Sequence, residues 1–188
     1  IREALDLVLE KQRRLLLAFA DQIGAWADAP TMAFTHLQPA EPTTEGYRLA
    51  EHPLQQEIQT RVAETVGRRA DGIPTAIDGC GVPTFALTLT EMALMFAGFA
   101  RGEPEGIGTL TAAMTAHPVL VGGPQAVDTL TMRALPGAVA KRGAEGLLCV
   151  SLPDGAGLAL KVEDGAHRAA YAAAGTVLGI PELAGRPA

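Results

Sequence analysis

The chain has 188 residues, enough for one domain or for one domain with an appended helical piece, and 48% of them are apolar, enough to bury a core. A net charge of −6 with no basic stripe excludes nucleic acid as a partner, since neutralising phosphates takes clustered Lys and Arg. No apolar run reaches the length of a membrane span, which excludes a membrane partner. The densest basic cluster, Lys11 to Arg14, is flanked by Glu10 and Asp21 and reads as a solvated helix face. Aromatics are only 4%, so the core must be built from Ala, Leu and Val. Cys80 and Cys149 lie far apart with no CxxC pattern, so no disulfide framework is expected and a reducing cytoplasm is the expected location.

The chain starts at Ile1 rather than Met, which reads as an incomplete N-terminus, and its first stretch carries acids, unlike a signal peptide. Ile1, Leu5, Val8, Leu9, Leu15, Leu16, Phe19 and Ile23 largely follow helical spacing, predicting one long helix to about Asp28, stopped by Pro30. Residues 30 to 44, with three Pro, read as an extended loop. A second helix is predicted from Pro53, with Leu54, Ile58, Val62 and Val66 lining one face and Gly67 at its end. Residues 67 to 84 read as loop. Thr88 to Glu91 has the spacing of a capping box, opening a helix to about Arg101. Short helices are predicted near 109–116 and 124–133.

From Gly137 the pattern changes to strands: 138–141, 147–152 and 157–162. Pro153-Asp154-Gly155 is turn chemistry, so the last two strands form an antiparallel hairpin. Residues 165 to 178 return to helix. The predicted fold is α+β: helices packed with a small antiparallel sheet, preceded by a long N-terminal helix.

Two sets of motifs carry chemistry. Residues 31 to 50, including Thr35-His36-Leu37-Gln38-Pro39-Ala40, resemble adenylosuccinate lyase of the fumarase/aspartase superfamily. That resemblance implies His36 as general acid in fumarate elimination and Gln38 as a substrate contact. A His suits protonation of a leaving nitrogen near neutral pH. The superfamily's Gly-Ser-Ser-x-Met-Pro loop, which supplies the base, is absent, and the competing reading of His36 is a loop histidine with no catalytic partner.

From about Glu51 to the end the chain resembles the bacterial asparaginase II family, related to serine β-lactamase-like folds. The matching blocks are Glu51 to Gln56, Asp78 to Ala86, His117 to Pro124, Val139 to Gly146 and Leu160 to Gly165. The resemblance implies hydrolysis of asparagine to aspartate and ammonia by a Ser nucleophile activated by a Lys. It also implies Asp78 as a substrate-binding carboxylate, Cys80 as a ligand of zinc, and Lys161 as the Lys of a Ser-Lys pair. Lys141, on a Lys-x-Gly strand, is similar to the Lys-Thr-Gly strand edge of β-lactamases, with Arg142 in the middle position. The expected organisation is a lyase-like segment over 1–50 and the C-terminal part of an asparaginase II-like domain over 51–188. The two families resemble each other over Thr44 to Ala50, as a crossover at short homology would leave, so a chimeric chain is expected.

Neither site is complete. The three lysines, Lys11, Lys141 and Lys161, are preceded three residues earlier by Val8, Ala138 and Leu158, so no Ser-x-x-Lys exists. Ser151 is the sole serine, and the Cys-Ser-Gly-Lys-His block that supplies further metal ligands is missing. Zinc wants about four N, S or O donors, more than Cys80 supplies. The bland readings are that Cys80 is a small, partly buried Cys in a Gly-rich turn, that Cys149 is inert on a strand, and that Lys161 and Glu163 share a solvated strand face. His117 and His167 lack metal-ligand spacing. An asparaginase-like polypeptide without its nucleophile is the leading expectation, with asparagine as its small-molecule substrate if active. A lyase fragment and a non-catalytic module are the alternatives. Half of a two-layer domain would expose apolar surface, so a homo-oligomer is expected.

Overall fold

The structure, a computed structural model, describes residues 46–103 and 106–184. The expected N-terminal helix, the 30–44 loop, His36 and Gln38 lie outside the described residues. The chain divides into two compact units between Ala86 and Leu87. Its class is α+β, as the sequence predicts.

In the first unit, helix α1 (Pro53–Thr65) starts where His52 Nδ1 accepts the Leu54 N–H at 3.1 Å, with Pro53 in the first turn. It ends in paired bonds from Gly67 N–H to the Glu64 carbonyl and from Arg68 N–H to the Ala63 carbonyl. Leu54, Val62 and Val66 are half-buried and Ile58 is 38% exposed, whereas Gln55 and Ala63 are buried. The Gln55 side-chain amide donates to the Tyr47 carbonyl at 2.7 Å, and that of Gln59 to the Ala70 carbonyl at 2.8 Å, so two amide arms satisfy loop carbonyls beside the aliphatic row.

Residues 67 to 84 are not all loop. A short 3-10 turn over Ala70–Gly72 precedes an antiparallel pair, β1 (Thr75–Ile77) and β2 (Pro83–Phe85), with Ile77 opposite Pro83. Strands of three residues are too short to show alternation, and a Pro inside one hides it further.

In the second unit, helix α2 (Leu89–Arg101) is opened by the predicted capping box. Thr88 Oγ1 accepts the Glu91 N–H at 3.2 Å, and Glu91 Oε2 accepts the Thr88 N–H at 2.7 Å. Helices α3 (Ile107–Ala116), α4 (Pro118–Gly122) and α5 (Val127–Ala134) follow, α4 being unforeseen. A three-stranded antiparallel sheet comes next: β3 (Val139–Arg142), β4 (Leu147–Ser151) and β5 (Gly157–Lys161), with β4 central. The β4–β5 turn forms at Pro153 to Gly155, where Asp154 Oδ1 accepts the Ala156 N–H at 3.0 Å. Helices α6 (His167–Leu178) and α7 (Pro181–Ala184) close the unit.

Side chains alternate across the sheet. Leu148 and Val150, both fully buried, join Ala174, Ile180 and Leu183 in the core. Helix α2 lies on the opposite face, which carries Cys149, Ser151 and Gly157. A Cβ added at Gly157 would overlap the Ala93 carbonyl oxygen, so only glycine lets the helix backbone approach β5 this closely. Among the described residues, no helix is long and apolar enough to cross a membrane.

Candidate functional site

The first group of candidate residues sits on the β1–β2 loop. The loop is closed by the Asp78 N–H to the Val82 carbonyl and the Gly81 N–H to the Asp78 carbonyl, both at 3.0 Å. Gly81 has φ 79°, a left-handed conformation that favours glycine, so the Gly79–Gly81 loop has the form of a turn followed by a glycine bulge. Asp78 Oδ1 accepts the Cys80 N–H at 2.8 Å and the Val82 N–H at 3.3 Å. The carboxylate therefore has a structural task, and its other oxygen, Oδ2, has no hydrogen-bond partner among the described residues. Asp78 is exposed.

Cys80 lies at the loop tip and is exposed, which corrects the expectation of partial burial. Strand β1 is itself exposed throughout. Among the described residues, no three His, Cys, Asp or Glu side chains converge to hold a metal ion. The described donors around Cys80 therefore do not fit zinc. His117 is half-buried between α3 and α4, and His167 is exposed at the start of α6; neither joins a donor set there.

Sequence reasoning passed over Arg48. Its guanidinium lies against the same loop: a Cβ added at Gly81 would sit 3.2 Å from Arg48 Nη1. Arg48 is exposed, and its signal in the sequence is its place in the Thr44 to Ala50 stretch just before the Glu51 to Gln56 block.

The second group sits on the sheet of the second unit. Lys141 pairs with Cys149 and Cys149 with Ala159, while Leu147 pairs with Lys161. This register puts Lys141, Cys149 and Lys161 on one face, with the two lysines on the strands flanking β4. Both lysines are exposed, and each donates to the next carbonyl along its own strand, Lys141 to Arg142 at 2.7 Å and Lys161 to Val162 at 2.6 Å. Strand β5 ends at Lys161, so Glu163 does not share its strand face as expected; it lies in the turn before α6. Beside that turn, Asp164 accepts the Ala166 N–H and pairs with Arg168, and these partners hold its carboxyl below the ordinary range.

Cys149 is 4% exposed. Burial pushes its thiol up to about 11, so it is protonated at neutral pH, matching the expected inert strand position. Ser151 is 2% exposed on the same strand, and Asp154 rather than a lysine stands three residues on. It offers no accessible hydroxyl to an amide carbonyl.

Asp128 is the polar residue that the sequence hid. It is fully buried in the first turn of α5. Its Oδ1 accepts the Thr129 N–H at 3.1 Å and its Oδ2 the Arg142 N–H at 3.3 Å. The Gly143 N–H points to Leu147, so by alternation the Arg142 N–H points away from β4. Asp128 thus covers an edge donor of β3, while the Arg142 guanidinium reaches the Gly122 carbonyl at 3.2 Å.

A family profile described as L-asparaginase II matches residues 32–184. The match spans Asp78, Cys80, Lys141 and Lys161, and it begins ahead of Thr35-His36. It gives no support to a separate lyase-derived segment.

Proposed function

Because the chain belongs to the L-asparaginase II family, we propose that its 188 residues recognise L-asparagine but lack the nucleophile needed to hydrolyse it. The reading is carried by the family match over residues 32–184, which includes the Asp78 loop and both sheet lysines. Asp78 is suited to the α-ammonium of an amino acid, because Oδ1 is committed to the loop and Oδ2 is open to solvent. Lys161, exposed at the end of β5, takes the place of the lysine in a Ser-Lys pair.

Hydrolysis of the side-chain amide requires attack on the carbonyl carbon, departure of ammonia and hydrolysis of the acyl intermediate. A neutral lysine amine would take the proton from the attacking hydroxyl. The chain contains no Ser-x-x-Lys, and its sole serine is buried on the central strand. The described donors do not fit zinc, so no step is routed through a metal. Lys161 holds the lysine position, and the hydroxyl that such a lysine would activate is absent from these residues.

The test is ammonia release from L-asparagine by the purified chain. The expected result is none above the buffer rate. Typical enzymes turn over about 10 times per second, so sustained release even a thousandfold slower, about 0.01 per second, contradicts the loss of turnover.

A further inference from the structure

We propose that Arg48 and Asp78 together bind the charged head of an α-amino acid, with Arg48 taking the α-carboxylate and Asp78 the α-ammonium. This rests on the asparagine-recognising reading of Asp78 and adds a second recognition residue to it. The two side chains meet the same loop. Asp78 Oδ1 accepts the Cys80 and Val82 N–H groups at 2.8 and 3.3 Å, on either side of Gly81, and Arg48 Nη1 lies 3.2 Å from where a Cβ of residue 81 would stand. Gly81, at φ 79°, carries no Cβ to crowd Arg48 Nη1.

The backbone around Arg48 is fixed independently of its side chain. The Tyr47 carbonyl accepts from the Gln55 side-chain amide at 2.7 Å, and the Leu49 N–H donates to the Gly46 carbonyl at 2.8 Å. None of the ion pairs among the described residues uses Arg48 or Asp78. One exposed cation and one anion anchored through Oδ1 thus share a loop without pairing with each other. A guanidinium fork matches a carboxylate with two parallel bonds, and an open carboxylate oxygen accepts from an ammonium. An α-amino acid carries both groups on one carbon and answers both charges at once.

The experiment is a calorimetric titration with three probes: L-asparagine, succinamate (which lacks the α-ammonium) and 3-aminopropanamide (which lacks the α-carboxylate). The unaltered chain is expected to bind asparagine at least about tenfold more tightly than either analogue, the usual scale for a charged hydrogen-bonded contact. Arg48→Gln should bind asparagine and 3-aminopropanamide equally and still prefer asparagine over succinamate. Arg48→Lys should recover part of the lost preference. Asp78→Asn keeps an acceptor for the loop N–H groups, so the loop persists, and it should lose only the preference over succinamate. If Arg48→Gln keeps the preference over 3-aminopropanamide while Asp78→Asn loses that over succinamate, the Arg48 role is overturned and the Asp78 reading stands. If both variants keep the ranking of the unaltered chain, or that chain binds no asparagine, both are overturned.

Discussion

Cys149 sits on the central strand with its thiol raised by burial to about 11, against 9.0 for a free thiol. Below pH 9 the folded and unfolded chains both keep this proton. Above it the unfolded chain releases the proton first, so stability falls as the pH rises from about 9 to about 11, by at most about 3 kcal/mol. Urea unfolding of the chain and of Cys149→Ala across that range should show a steeper loss in the former. At pH 7.5 a thiol reagent should label the exposed Cys80 at once and reach Cys149 only on unfolding. Asp128 is a different case, since its burial is answered by two backbone N–H groups. Asp128→Ala strands both donors and should cost about 2–4 kcal/mol in a thermal or urea melt, and Asp128→Asn, which keeps an acceptor, about 1 kcal/mol. The role of Asp128 was not readable from one sequence: an Asp in a helical first turn looks like an ordinary dipole-favoured residue. Cys80 failed in the opposite sense. Its Gly-rich surroundings announced a turn, yet nothing in them says whether a turn is covered.

The elements that the sequence revealed are those with local signals. The capping box at Thr88 and Glu91 opened α2 where expected, and Pro153-Asp154-Gly155 set the β4–β5 register. Two short elements escaped. Helix α4 has five residues between His117 and Gly123, too few for a helical period, and β1 and β2 have three each. The aliphatic row of α1 is half-buried at Leu54, Val62 and Val66, but periodicity counts aliphatic residues and cannot foresee that Gln55 and Gln59 tether loop carbonyls. Packing of α2 on the sheet turns on one position that composition does not mark. Gly157→Ala drives a methyl into the Ala93 carbonyl and should cost about 3 kcal/mol, lowering the melting temperature by more than 10 °C, at roughly 4–8 °C per kcal/mol for a unit of this size. Circular dichroism melts would show it; an unchanged midpoint would mean that α2 does not approach β5 this closely.

At the scale of the whole chain, family and fold class were legible while the site was legible only in parts. Five separated blocks pointed to the family that the match over residues 32–184 establishes. The lyase likeness over residues 31 to 50 pointed elsewhere and found no support, because one short stretch carries far less information than ordered blocks over most of a chain. Asp78 and Lys161 were visible as charged residues within motifs, whereas Arg48 became visible only when the fold laid it on the Gly81 loop. The central claim is recognition without turnover, and one titration of L-asparagine into the purified chain reads both halves. Each injection should give a saturable pulse of binding heat that returns to the starting baseline. A sustained heat flow from continuing hydrolysis, or no saturable pulse at all, would contradict the account.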